Sequence, residues 1–402
     1  MLRPDTLTLT ALLALLTAIG PLSTDMYLSS LPDIGRQLNA GPAQVQLTLS
    51  VFLVGFAVGQ IIYGPLSDRY GRRPVLIAAL LLYTCACLIC TFARSIEMLI
   101  AARALQAIGG SGAVVLARAV VRDLYSGARA GRELSLMGAI MALAPVVAPP
   151  VGGLLQTAFG WRANFFVALA GGLVLAALVW WMLPETLRHR APERVSPASM
   201  LRVYRTIARH KGFLAHLGMI AASYAGLFAW ISGSPFVLQD LYGVSPLGFG
   251  IAFALACLGF MTGASLATRL VTRIGLGRTM GFGALALASG GLLMTAAVAL
   301  GIASVALLVA STAIYLFGIG LVLPQAMAGA LTPFPDRAGA ASSLMGFVQQ
   351  ASAAVLGTIV GHLLGHSAWP IAVPMALMGC LTLLIWAISR NVRSRDVGRS
   401  QS

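Results

Sequence analysis

Asp25 is the one carboxylate well inside an apolar run of this chain, and Arg103 is the one basic residue inside another. Desolvation in hydrocarbon holds a lone carboxylate neutral, and entering water or a cationic neighbour favours its charged form. Such a group can take a proton from one side of a membrane and release it to the other. An ionised arginine at depth costs roughly 3 kcal/mol or more unless a partner or a water-filled cavity receives it. Two placements fit each residue. Asp25 lies either inside its run or, if the run ends early, just outside it. Arg103 either faces an interior cavity or snorkels to a nearby interface.

A second constellation is the stretch Gly64-Pro65-Leu66-Ser67-Asp68-Arg69-Tyr70-Gly71-Arg72-Arg73-Pro74. Two glycines, two prolines, one acid and three arginines in so short a segment predict a tight polar connection, not a helix interior. Asp68 can accept hydrogen bonds from helix N-terminal amides or pair with Arg72, while Gly64 and Gly71 permit a turn that a Cβ would strain. A third segment, Ala144-Pro145-Val146-Val147-Ala148-Pro149-Pro150-Val151-Gly152-Gly153, removes backbone donors at its prolines and permits close helix contact at its glycines. It predicts a bent, tightly packed helix.

The elements that must position these residues follow from composition. The chain has 402 residues, 58% hydrophobic and only 10% charged, which excludes a soluble globular protein. The formal charge of +15 would suggest nucleic acid in a soluble chain, but here the basic residues sit between apolar runs, so no nucleic acid is expected. All five cysteines fall inside apolar runs and are read as small hydrophobes, not as disulfides or metal ligands. Neither a metal nor another cofactor is expected.

Runs long enough to cross a bilayer number twelve, at roughly 7–28, 45–63, 74–92, 97–117, 133–157, 163–183, 212–234, 247–268, 279–299, 302–325, 339–363 and 369–389. The N-terminal run lacks a small-residue cleavage site and is read as a retained span. Twenty-three Lys and Arg fall on the side of the N-terminus and the even-to-odd connections, against three on the other, which places both termini in the cytoplasm. The predicted fold is an all-α membrane protein of two six-helix pseudo-repeats. The N-terminal half covers 1–183, a cytoplasmic linker 184–211, the C-terminal half 212–389 and a basic cytoplasmic tail 390–402.

Within the linker, Met200, Leu201, Val203, Tyr204 and Ile207 share a helical face while Arg202, Arg205 and Arg209 lie away from it. Both an amphipathic helix on the anionic inner leaflet and a solvated linker fit. A shift of 204 residues sets Pro42 on Pro246, Leu66 on Leu270, Arg69 on Arg273 and Gly71 on Gly275, while Asp68 meets Thr272. The charged stretch therefore has a decayed copy. Spans 7–12 carry no Asp, Glu, Lys or Arg in their interiors, leaving aromatic residues such as Tyr224, Trp230 and Tyr315 to line a wall suited to hydrophobic substrates. Each of these aromatics is equally explained by packing.

The G-x-L-x-D-R-x-G-R-R pattern of Gly64 to Arg73 resembles the signature loop of the major facilitator superfamily. Arg103-Ala-Leu-Gln106-Ala107 is similar to its R-x-x-Q-G pattern with alanine for the glycine, and Pro145 to Gly153 resembles the proline and glycine motif of proton-coupled antiporters, with Ala148 before the central proline. With Thr24-Asp25-Met26-Tyr27-Leu28 and Gly160-Trp161-Arg162, the whole chain resembles a twelve-span bacterial drug:proton antiporter of the Bcr/CflA branch. Some relatives carry a second acid two turns before Asp25; here that position is Thr17.

The resemblance implies alternating access between the two halves in the inner membrane and proton-driven efflux of small antibiotics or other hydrophobic compounds. It implies that Asp25 and Arg103 couple protons, that Met26, Tyr27 and Gln106 line the cavity with the second-half aromatics, and that Gly64, Asp68, Arg69, Gly71, Arg72 and Arg73 form a cytoplasmic latch. Pro145, Pro149, Gly152 and Gly153 form the kinked helix. Expected partners are a small-molecule drug or metabolite, protons and the bilayer, with a monomer as the unit. The chain is not expected to be an enzyme, which would need paired acids, histidines or a metal cluster at one face. Export of an endogenous metabolite such as an amino acid derivative, and a non-transporting membrane scaffold, remain as other readings.

Overall fold

In hydrocarbon every backbone N–H and C=O must find a partner within the protein, which a chain rich in long apolar runs satisfies by forming helices. The computed structural model describes residues 7–125, 127–187, 197–334 and 337–390. Among the described residues, twelve helical segments are long and apolar enough to cross a membrane, in agreement with the count of apolar runs. The contacts divide the chain into two units, residues 1–195 with 245–251, and residues 196–244 with 252–402.

In the first unit, α1 (Leu7–Asp25) is followed by a 3₁₀ turn (Leu28–Ser30) and α2 (Leu31–Gln37), which together make the first span. Next come α3 (Pro42–Tyr70), α4 (Arg72–Thr91), α5 (Ile96–Leu124), α6 (Gly127–Phe159) and α7 (Arg162–Met182). Ser95 starts α5 by accepting a hydrogen bond from the Met98 amide at 3.2 Å. The core joins Leu13 and Leu16 of α1, Leu76 and Leu80 of α4, Val120 of α5 and Val179 of α7.

The second unit holds α8 (Pro197–Ile207), α9 (Lys211–Phe236) with a π turn to Leu241, most of α10 (Pro246–Ile274), α11 (Leu276–Ala299), α12 (Val305–Leu331), α13 (Ala338–Leu363) and α14 (Trp369–Ile388). α8 packs against α13, with Ile207 buried, Val203 and Tyr204 half-buried, and Arg202, Arg205 and Arg209 exposed. The linker residues 188–196 and the tail residues 391–402 lie outside the described residues.

Several spans exceed their expected bounds, and one extension corrects the reading of the charged stretch. Residues 64–70 are not a connection; they are the last two turns of α3, which runs unbroken through Pro65 to Tyr70. The turn is confined to Gly71, at φ 103° and ψ 153°, and α4 begins at once. Proline disfavours a helix chiefly by its missing donor and its clash with the preceding turn. Near a helix end, where water reaches the backbone, that penalty is outweighed by the continuing helix. Likewise Arg118 and Arg122, expected between spans, lie in α5, and Asp240 lies exposed in the π turn that ends the seventh span.

Candidate functional site

The first span breaks where its unusual residues lie. α1 carries Pro21 and ends at Asp25; Met26 and Tyr27 turn, and the helix resumes at Leu31. Pro32 has no N–H to give the Leu28 carbonyl, and the Leu31 amide takes that carbonyl in a 3₁₀ bond instead. Asp25 is buried at the break, with 8% of its surface exposed. Thr24 Oγ1 donates to its Oδ1 at 2.9 Å. Among the described residues no ion pair joins Asp25 to a cation.

Arg103 of α5 is completely buried on the same span end. One terminal nitrogen donates to the Ser23 carbonyl at 2.9 Å and to Gln106 Oε1 at 2.5 Å. Its guanidinium lies 4.2 Å from the ring centres of both Tyr27 and Phe52, and 5.8 Å from that of Phe165. Its Nε and other terminal nitrogen have no hydrogen-bond partner among the described residues. The counter-charge is therefore supplied without a carboxylate. Ser23 presents one of the carbonyls left open at the C-terminus of α1, the negative end of the helix dipole, and three ring faces supply cation–π attraction.

A neutral network extends from this cage. Gln106 Nε2 donates to Cys87 Sγ at 3.0 Å, Ser23 Oγ and the Tyr83 hydroxyl share a hydrogen bond at 2.7 Å, and the Tyr27 hydroxyl bonds Thr48 Oγ1 at 2.9 Å. Snorkelling is thereby ruled out for Arg103. The structure brings Arg103, Gln106 and Tyr27 together, while Asp25 lies two residues beyond the carbonyl that Arg103 holds.

The proline and glycine segment meets the other side of the break. α6 runs continuously through Pro145, Pro149 and Pro150, with Pro149, Gly152 and Gly153 buried and Pro145 half-buried. A Cβ on Gly152 would collide with the backbone carbonyl of Met26, so only glycine lets α6 approach the break. Gly153 similarly lies against the backbone of Pro246, in the short part of α10 that groups with this unit. Asn164 of α7 donates to Ser30 Oγ at 2.9 Å and pins the far side of the 3₁₀ turn.

The charged stretch forms a separate cluster. Arg72 pairs with Asp68 at 2.5 Å and with Asp123 of α5 at 2.8 Å, and donates to Ser67 Oγ at 2.6 Å. The α4 amides of Arg72 and Arg73 donate to Glu185, at 2.9 and 3.2 Å, so that Glu185, not Asp68, caps this helix. Arg73 also donates to the Trp180 carbonyl, and Arg69 lies over Tyr70. These bonds are internal to the first unit. A Cβ on Gly64 would meet nothing within 4 Å, whereas one on Gly71 would come within 2.5 Å of Glu185 Oε2.

Asp123, Glu185, Asn164, Ser23 and Phe52 were not singled out by the residues alone. In a chain with only 12 acidic residues, Asp123 and Glu185 carried a signal in their mere presence beside basic turns. In the second unit, Tyr224 packs on Phe228 at 5.1 Å. Tyr315 is fully buried with its hydroxyl donating to the Ser223 carbonyl at 3.3 Å, and Trp230 is fully buried with an unpartnered indole N–H.

Residues 13–358 match the family model described as Major Facilitator Superfamily. The chain is 33% identical over 387 residues to the bicyclomycin resistance protein homolog of Haemophilus influenzae, covering 95% of this chain and 96% of that one. It is 32% identical over 388 residues to multidrug resistance protein D of Escherichia coli, covering 96% of each. A solved structure of a D-xylose–proton symporter superposes with a TM-score of 0.75 at 16% identity, over 94% of this chain and 96% of that one, which shows a shared fold. A twelve-span helical protein with these matches is a multi-pass membrane transporter. The chain belongs to the major facilitator superfamily, and its resemblance to the Bcr/CflA branch is borne out by these relatives.

Proposed function

We propose that this protein is a proton-driven efflux antiporter of the bacterial inner membrane, with both termini cytoplasmic, exporting small antibiotics or other hydrophobic compounds. The observation that carries the reading is the break in the first span, where a buried carboxylate and a buried guanidinium sit at one helix end without pairing. The names of the relatives support the class of cargo.

Asp25 is the proton carrier. Unpaired with a cation among the described residues and bonded by Thr24, it exchanges its proton with whichever aqueous side the cavity admits. Arg103 acts on it through the end of α1, by holding the Ser23 carbonyl and keeping a fixed positive charge there. Substrate entering from the inside displaces the proton of Asp25, the halves rock, and reprotonation outside expels the substrate. The residues proposed to meet the cargo are Met26, Tyr27 and Gln106 of the first unit and Tyr224, Trp230 and Tyr315 of the second. Trp230 is the most specific of these, because its buried N–H lacks a partner among the described residues. Asp68 and Arg72 act as a latch at the cytoplasmic end, which Asp68→Asn weakens, slowing turnover with little loss of substrate binding.

One inward proton supplies about 2.3 kcal/mol per 100 mV of membrane potential. That supports about a fiftyfold gradient of a neutral solute. The test is everted-vesicle transport with a drug panel and an amino-acid panel, following substrate-induced proton efflux. Asp25→Asn is expected to insert normally and to lose pH-gradient-driven export altogether. Undiminished proton-coupled export by that variant removes Asp25 from the mechanism, and proton efflux induced only by amino acids reassigns the cargo.

A further inference from the structure

A hollow of about 240 Å³ lies within the first unit between α1, α4 and α7. Its origin is a pair of glycines on α7. A Cβ on Gly172 would come within 2.7 Å of Thr84 Oγ1 and 3.0 Å of Tyr83 Cδ1, so that residue draws α7 onto α4. A Cβ on Gly171, one residue earlier, would meet nothing within 4 Å and faces the open space. The mouth is formed by Leu15 of α1 and Val167 and Val174 of α7, all exposed on apolar spans and therefore turned to lipid. The floor is the Ser23–Tyr83 pair, whose two hydroxyls bond each other.

The lining decides the occupant. Apart from those two hydroxyls, which satisfy each other, every lining side chain is apolar, so water finds no further partners there and a hydrophobic guest is favoured. The hollow is also smaller than the roughly 300–1,000 Å³ of pockets that enclose drug-sized ligands. A narrow chain fits where a ring system does not, and the medium at its mouth is made of such chains. We propose that this hollow is a binding site for one acyl chain of a membrane phospholipid, which enters between α1 and α7 and ends against Ser23 and Met26. The site therefore touches the first-span break from the lipid side. It requires only that the protein spans a bilayer, so it stands or falls independently of proton coupling.

The full-length protein in nanodiscs containing a phospholipid with a diazirine on its acyl chain would be photolysed and the adducts mapped by mass spectrometry. Adducts are expected to concentrate on Ile19, Leu22 and Gly171, and to saturate and be competed by unlabelled long-chain phospholipid. Labelling of the exposed Leu384 in α14 should be neither saturable nor competed. Gly171→Leu, whose side chain fills the open space, should lower labelling at Ile19 by about tenfold, the change given by about 1.4 kcal/mol of lost binding. Labelling of Leu384 should be unchanged in that variant. Labelling at Ile19 that is unsaturable and no denser than at Leu384 overturns the proposal in the native protein alone. Unchanged labelling in Gly171→Leu overturns it as well.

Discussion

The turn at Gly71 and the turn at Gly275 each follow a 29-residue helix that begins at a proline, Pro42–Tyr70 in the first unit and Pro246–Ile274, of which the part from Ala252 on belongs to the second. Their backbones match, with φ 103° and ψ 153° at Gly71 and φ 79° and ψ 165° at Gly275. Their side chains do not. Around Gly71, Arg72 is tied to Asp68, Asp123 and Ser67, and Glu185 caps the next helix. Around Gly275, Thr272 bonds back to its own helix at Arg269, Leu276 stands in the place of Arg72, and a Cβ on the glycine would meet nothing within 4 Å.

The fifth and twelfth helices repeat the lesson. Ser95 and Ser304 cap them in nearly the same geometry, and in that register Arg103 corresponds to Thr312 and Gln106 to Tyr315. Thr312 satisfies itself on the Leu308 carbonyl, at 2.9 Å, where Arg103 reaches across to the end of α1. The duplicated backbone is thus separable from the charge, and among the described residues these charged contacts are made at the first unit's copies.

The strongest way to break this contrast is Arg103→Thr, which installs the second unit's residue in the first. It leaves the Ser23 carbonyl and Gln106 without their donor and opens a hole among Tyr27, Phe52 and Phe165. Export in everted vesicles is expected to be lost, and the cavity to cost about 2–5 kcal/mol of stability. Arg103→Met, which refills most of the volume, should recover stability but not export. Export retained in Arg103→Met would mean that the buried charge is a packing accident, and the contrast between the units would lose its functional content.

A second comparison exchanges residues at the two turns. Arg72→Leu leaves Asp123 facing Thr186 with its cation gone, and breaking a largely buried pair costs on the order of 3 kcal/mol. Leu276→Arg, at a half-buried position near a helix start, should change stability by about 0.5 kcal/mol or less. Thermal unfolding of the two purified variants in one detergent checks this. Equal losses would show that the two turns are mechanically alike despite their different side chains.

Much of the architecture was legible because bilayer thickness dictates run length and an interior without water forbids anything but helix. The twelve spans and the 204-residue register of Pro42, Gly71 and their copies followed from that. The ends were less legible. Hydropathy sees where a chain stops being apolar, while α3 continues helical through Asp68 and Arg69, and α5 through Arg118 and Arg122, because a helix in the interfacial zone tolerates charge. The break after Asp25 was hidden for the opposite reason. Met26, Tyr27 and Leu28 keep the run apolar, and the proline that ends it lies four residues beyond Leu28. The cage of Arg103 was half legible. Its place inside an apolar run was legible, but that position fitted snorkelling to a nearby interface as well as burial, and the Ser23 carbonyl and the ring of Phe52 are distant in sequence and carry no motif of their own.

The smallest and most selective comparison is Gly71→Ala against Gly275→Ala. Both residues lie at positive φ with extended ψ, a region nearly confined to glycine, so alanine should cost each turn about 1–3 kcal/mol through backbone strain alone. At Gly275 nothing further happens, because the new methyl points into open space. At Gly71 the methyl comes within 2.5 Å of Glu185 Oε2, and the carboxylate must leave the amides of Arg72 and Arg73 to accommodate it. Loss of such a cap costs about 1 kcal/mol. The difference between the two alanine variants in thermal unfolding should therefore be about 1 kcal/mol in favour of Gly275→Ala, and adding Glu185→Ala should erase most of it, since the cap is then absent before the methyl arrives. A difference that persists in the Glu185→Ala background would place the distinction between the turns in the backbone and not in the acids that surround Gly71.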